Sequence, residues 1–158
     1  MPSQPLVEVD LLDTSTIVAD VEEIQRYNMQ RGTFSMLDGI THADDEKVVG
    51  FKDIRAEEWW AKDHIPGRPL FPGALMIEAA AQLSSYHFLK HRNIVPEGSF
   101  VGFGGLDSVR FRGTVEPGVR FVLAAEVERT RPTMFRYKTQ GFVDGQLIFE
   151  ATVIGVVV

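Results

Sequence analysis

A base candidate, a helix start and an acid candidate fall within fifteen residues of one another in the stretch HIPGRPLFPGALMIEAAAQ, residues 64–82. Between them they could move protons on and off a bound substrate. His64 is the base candidate. Imidazole titrates near neutrality, and Pro66, Pro69 and Pro72 stiffen the loop that carries it. Pro72 suits the first position of a helix, where its missing N–H would have no partner in any case. Beside it, Gly73 lets a ligand approach the backbone closely. The free N–H groups of a first helical turn are suited to polarising a carbonyl or holding an oxyanion. Glu78 lies in ALMIEAAAQL, which is apolar at eight of ten positions. Burial there would raise a carboxyl's pKa and keep it protonated, the state a general acid requires.

Each feature also has a plainer explanation. Pro-Gly is common helix punctuation. Glu78 and Gln82, at i and i+4, can form a structural hydrogen-bonded pair, and Arg110 or Arg112 could supply a salt bridge instead. His87 and His91 form a second constellation, one helical turn apart like a pair of zinc ligands. No glutamate follows His87 as in H-E-x-x-H, the chain has no cysteine, and the dipole at a helix C-terminus favours such residues without a metal. What sets the first constellation apart is the coincidence of base, stiff loop, helix amides and apolar-surrounded acid.

Those groups need elements to hold them. From about Pro72 to Lys90 the apolar residues go nearly all the way round, so this long helix is expected to be buried. Residues 20–31 (DVEEIQRYNMQR) predict a short helix with Asp20 as N-cap, and 56–61 (AEEWWA) a single helical turn. TFSMLDGI and KVVGFKDI read as a hairpin around THADDE. FVGFGGLDSVRFRG, VRFVLAAEVERT, TMFRYKTQGFV and QLIFEATVIGVVV read as four strands, rich in β-branched and aromatic residues. Turn signals separate them, ending with Asp144-Gly145, the strongest hairpin signal in the chain. The whole implies an α+β fold: an antiparallel sheet of about six strands wrapped around one long central helix.

The chain has 158 residues, enough for one domain spanning 1–158 that needs no disulfide or metal for its core. A formal charge of −6 argues against nucleic-acid binding. The amino terminus MPSQPLVEVDLLD has no signal-peptide pattern and no apolar run approaches the ~20 residues of a membrane span. A cytoplasmic protein is expected.

The segment from His64 to Gln82 resembles the signature of the 3-hydroxyacyl-[acyl carrier protein] dehydratases of fatty acid synthesis, approximately H-F-P-G-x-P-x-M-P-G-V-L-x-x-E-A-x-A-Q. It matches without gaps at His64, Pro66, Gly67, Pro69, Pro72, Gly73, Leu75, Glu78, Ala79, Ala81 and Gln82. Weaker similarity extends to FSMLDGI, EEWWAKD and GFGGLDSVRFRGTVEPG. The resemblance implies a hot-dog fold and a cofactor-free dehydration to the trans-2-enoyl thioester. His64 would remove the α-proton, the Gly73 amide would polarise the thioester carbonyl, and Glu78 of a partner subunit would protonate the departing hydroxyl. A homodimer follows as the minimal unit, with a trimer of dimers as a further possibility. The substrate would ride on acyl carrier protein, with Pro72, Phe71, Ile65 and Gln82 near the acyl group. Glutamate at 78 is similar to the plain dehydratases rather than the dehydratase–isomerases.

Four departures bear on the substrate. Asp63 stands where the family has glycine, and facing His64 it would favour imidazolium. Ile65 replaces a phenylalanine and Phe71 a methionine, and RYNMQRGTF lacks the family's His-Arg-Tyr-Pro-type segment. Thioester hydrolysis with Glu78 activating water, or a non-catalytic acyl-binding subunit, are the alternatives on this fold. For the acidic carrier, Lys90, Arg92, Arg129, Arg131, Arg136 and Lys138 are the candidate contacts, with a solvated mixed surface as the plain alternative.

Overall fold

The β-branched and aromatic runs of the second half pair as long strands. The computed structural model describes residues 3–92 and 95–158. Its strands are β1 (Gly39–Ala43), β2 (Lys47–Asp53), β3 (Val101–Phe111), β4 (Arg120–Arg131), β5 (Met134–Val143) and β6 (Gln146–Val157). They form one antiparallel sheet in the order β1-β2-β4-β5-β6-β3. Helices α1 (Val21–Gln25) and α2 (Gly73–Arg92) accompany it. The sheet wraps around α2, which is the hot-dog architecture.

Inward-facing residues of the sheet, Phe121, Leu123, Phe135, Tyr137, Phe149 and Val153, share one core with Ala79, Ala80 and Leu83 of α2. Small side chains let the helix lie close: a Cβ added to Gly50 of β2 would sit 3.0 Å from Leu83 Cδ1. Each large side chain buried in this way contributes roughly 1.5–3 kcal/mol. On the outer face the amino-terminal strap puts Val7 against Val49, Val122, Ala124 and Phe142. Glutamine bonds hold it there, from Leu6 N–H to Gln140 Oε1 and from Gln140 Nε2 to the Gln4 carbonyl, both 2.8 Å. The Asp144-Gly145 turn has φ of 49° and 76°, the left-handed pair that a tight hairpin demands.

Four expected boundaries differ. The first strand starts at Gly39 rather than Thr33, because the backbone at 34–36 bonds to the Gln82 side chain instead of a neighbouring strand. The helix expected over 20–31 ends at Gln25, although Asp20 caps it as expected, accepting from Glu23 N–H at 2.9 Å. Beyond it, the Arg31 guanidinium donates to the carbonyls of Gln25, Asn28 and Gln30 and folds the segment back. Residues 56–61 form hydrogen-bonded turns and no helix. Pro72 is the N-cap of α2 and Gly73 its first residue, with the Pro72 carbonyl accepting from Met76 N–H at 3.1 Å.

Candidate active site

The loop before α2 is pinned at both ends. Trp60 is buried, and its carbonyl accepts from His64 N–H at 2.9 Å. Phe71 N–H donates to the carbonyl of buried Val115 at 2.8 Å. Between these anchors the His64 side chain is exposed, and its Nδ1 lies 2.8 Å from the Leu70 carbonyl. A carbonyl only accepts, so Nδ1 carries the hydrogen. In the neutral ring this leaves the Nε2 lone pair as the free basic site. Asp63 is exposed, and among the described residues no ion pair joins it to His64.

The amides of Gly73 and Ala74 open α2 and bond no acceptor among the described residues. They are the orphan donors of a helix start, at its positive end. A Cβ on Gly73 would lie 2.8 Å from Phe111 Cε1, so the glycine keeps the amides accessible beside that ring.

Glu78 is half-buried, not wholly buried as its neighbours suggested, and its partner is Gln82 rather than Arg110 or Arg112. Arg112 pairs with Glu150 at 2.6 Å, and Arg110 donates to the Val109 carbonyl. Gln82 is buried, and both its amide oxygen and its amide nitrogen are hydrogen-bonded. Its Oε1 accepts from Met36 N–H at 2.8 Å, and its Nε2 donates to the Phe34 carbonyl at 2.8 Å and to Glu78 Oε1 at 2.9 Å. Gln82 therefore holds the carboxyl in place, and both N–H donors of its amide are used in doing so. The second Glu78 oxygen has no hydrogen-bond partner among the described residues. Glu78 lines a cavity of about 90 Å³ with Ala81, Gln82 and Ser85 on one side and Val101, Gly102 and Phe103 of β3 on the other. His64 is not among its lining residues.

Of the other expected substrate contacts, Ile65 is 40% exposed on the His64 loop and Pro72 is half-buried at the helix start. Phe71 turns into the core, with ring centroids 5.3 Å from Trp60 and 6.0 Å from Phe121. His87 and His91 stack at 4.4 Å. Both ring nitrogens of buried His87 are engaged, Nδ1 with Tyr137 OH and Nε2 with the Asp44 carbonyl, each at 2.6 Å. That pair fastens α2 to the β1–β2 turn. Of the basic candidates, Lys90 is paired with Glu23 at 3.3 Å, and Arg136 with Asp107 and Glu128. Arg129, Arg131 and Lys138 are exposed on β4 and β5, and the Arg92 side chain lies outside the described residues.

Two features of the site were missed in the sequence: the Leu70 carbonyl that orients His64, and the 34–36 backbone that holds Gln82. Both are main-chain partners, available at any residue type. The i,i+4 spacing of Glu78 and Gln82 pointed to their own hydrogen bond and not to these main-chain partners.

Residues 29–152 match the FabA-like domain family. The chain is 33% identical over 134 residues to the 3-hydroxyacyl-[acyl-carrier-protein] dehydratase FabZ of Thiobacillus denitrificans, covering 84% of this chain and 92% of that one. Its backbone is similar to a chain of the dehydratase heterocomplex ApeI:P from Xenorhabdus doucetiae, with a TM-score of 0.72 at 14% identity over 84% of this chain and 89% of that one. A mutant thioesterase from Pseudomonas aeruginosa superposes with a TM-score of 0.66 at 16% identity, over 89% and 95% of the two chains. At such identities the two structures speak for the fold alone.

Proposed function

This chain belongs to the FabA-like domain family, and from that premise we propose that it dehydrates 3-hydroxyacyl thioesters carried on acyl carrier protein. It is a hydro-lyase of acyl-chain biosynthesis, and its product is the trans-2-enoyl thioester with water. The observation that carries the assignment of roles is the His64 tautomer, which leaves Nε2 as a base on a fixed ring. His64 Nε2 takes the proton from C2. The Gly73 amide, with that of Ala74 beside it, donates to the thioester oxygen as negative charge builds there. The electron pair released at C2 forms the double bond and expels the C3 hydroxyl, to which Glu78 delivers a proton. The imidazolium then returns its proton to the carboxylate through solvent, and the site is reset.

Glu78 opens toward β3 and His64 lies outside its cavity, which supports a site assembled from two chains. Strand β3 is an edge strand of eleven residues with Phe103, Leu106 and Phe111 each at least 40% exposed. An unpaired edge with exposed apolar side chains is a template for another strand, and a second copy of β3 is its proposed occupant. Among the described residues no helix is long and apolar enough to cross a membrane.

The reaction is tested by following enoyl formation from carrier-bound 3-hydroxyacyl chains. His64→Ala and Glu78→Gln are each expected to lower kcat about 10²–10⁴-fold. Turnover left intact by either substitution would remove that residue from the mechanism. Release of free thiol in place of enoyl product would replace dehydration by hydrolysis.

A further inference from the structure

Phe111, the last residue of β3, reaches the start of α2. In the register of β3 and β6 it stands opposite Phe149, and the two rings lie 5.5 Å apart at 35°. Opposed residues of an antiparallel pair share a face, so Phe111 lies on the inner face with buried Phe149 while Arg112 turns outward. There Arg112 pairs with Glu150 at 2.6 Å, and Ser3 Oγ donates to the other Glu150 oxygen at 2.7 Å. Arg112 N–H also donates to the Ile148 carbonyl, so the strand is held as far as the residue after Phe111. A little further on is the Val115 carbonyl that receives the Phe71 N–H just before the helix. The ring and the helix start are thus fixed to one frame.

A Cβ on Gly73 would meet Phe111 Cε1 at 2.8 Å, Cζ at 2.9 Å and Cδ1 at 3.4 Å, so the ring fills the place of the side chain that Gly73 lacks. In a helix the Cα–Cβ bond tilts toward the N-terminus, the direction in which the free N–H groups also point. A ring at that place therefore stands at the helix end, next to the Gly73 amide. Exposure follows the ring: Gly73 is half-buried, whereas Ala74, whose amide is equally without an acceptor among the described residues, is exposed. Packing in the core is not the main use of the ring, since about half of it remains in water.

We propose that Phe111 is a positioning residue: its ring keeps water off the Gly73 amide and so reserves that amide, rather than the one at Ala74, for the oxygen of the bound thioester. A hydrogen bond to a developing oxyanion gains strength in the low dielectric beside an apolar ring. It gains most where the charge is greatest, in the transition state. The screening should therefore appear in kcat rather than in KM. The reaction rests on the dehydratase reading; the screening of the amide does not.

Amide hydrogen exchange, read residue by residue on the full chain, tests the screening without any substrate. Corrected for local sequence, the Gly73 amide is expected to exchange at least about tenfold more slowly than that of Ala74. Phe111→Ala should bring the two within about threefold of each other, and Phe111→Leu, which restores apolar bulk, should keep them apart. On carrier-bound 3-hydroxyacyl chains, Phe111→Ala should lower kcat at least about tenfold and move KM by less than about threefold. Phe111→Leu should recover most of that loss. Equal exchange at the two amides in the wild type, a kcat that Phe111→Ala leaves intact, or a loss that Phe111→Leu shares in full would overturn the proposal. So would a loss of kcat accompanied by faster exchange along the whole of α2, which reports a loosened helix. Slow Gly73 exchange that Phe111→Ala relieves, in a protein that turns over no 3-hydroxyacyl thioester, would uphold the screen and sink the dehydratase reading. Turnover with a Gly73 amide that exchanges as fast as Ala74 would do the reverse.

Discussion

At the scale of single residues, His64, Gly73 and Glu78 are three kinds of group made useful by what each is denied. His64 is denied the use of Nδ1, so its basicity is confined to Nε2. The helix-start amides are denied intrahelical acceptors. Glu78 has one oxygen tied by Gln82 and one left to act. Gly73 offers the sharpest test, because the obstacle to a side chain there is soft. The Cβ of Gly73→Ala would meet the Phe111 ring, which is 51% exposed and packs on one side against Phe149, so that it can yield toward solvent. Stability should therefore change by less than ~1 kcal/mol, while kcat/KM falls tenfold or more as the methyl pushes the thioester oxygen off the amide. Thermal unfolding and steady-state kinetics on the same sample check both halves. The sequence singled these residues out as candidates through their coincidence within one short stretch, since each taken alone has a plainer use. The half-burial of Glu78 was not legible there, since apolar neighbours along a helix do not reveal a cavity opening across from it.

At the scale of elements, strands were easier to locate than their ends. The runs that became β4, β5 and β6 were visible because they concentrate the β-branched and aromatic residues that supply the core contacts. The start of β1 and the end of α1 were decided by distant side chains, Gln82 and Arg31, that capture main-chain groups; no local pattern encodes such a capture. The β1–β2 turn depends on a similar device that can be measured. Burial tends to raise the Asp44 carboxyl pKa, but the Glu46 amide, His42 and the Lys47 amide outweigh it and hold the value at about 2, against an ordinary 3.8. A depressed carboxylate stabilises the fold above its unfolded pKa, and that contribution is lost as pH falls from about 4 toward 2. The side chain is 51% exposed, so solvent screening reduces the effect to about 1 kcal/mol or less. Asp44→Asn should cost that much in urea unfolding at pH 7, and the gap to wild type should close as pH approaches 2. A gap that persists unchanged at pH 2.5 would place the effect in the turn's packing and not in its charge.

At the scale of the whole molecule, the question is whether one chain can hold a complete site. Glu78 faces the cavity bounded by β3, and β3 presents eleven residues of open edge with bulges at Phe103/Gly105 and Asp107/Arg110. Antiparallel pairing of that edge with a second copy would continue the sheet across the dimer and bring a partner's loop toward Glu78. The consequence is a complementation rule that a single-chain site cannot obey. In a mixed dimer of His64→Ala and Glu78→Gln chains, a site built across chains falls into two kinds. One joins the two damaged residues and is dead. The other joins the intact His64 of the second chain to the intact Glu78 of the first and is whole. Mixing the two inactive variants after reversible dissociation should therefore restore activity toward one quarter of wild type, since half of a random mixture is heterodimer and half of its sites are complete. Sites contained within one chain would stay inactive in every combination, because each chain carries one lesion. Leu106→Lys, placed on the open edge, should shift the protein toward monomer in light scattering and abolish the restored activity with it. Restoration that survives in monomers would mean that the two residues meet in some way other than through β3.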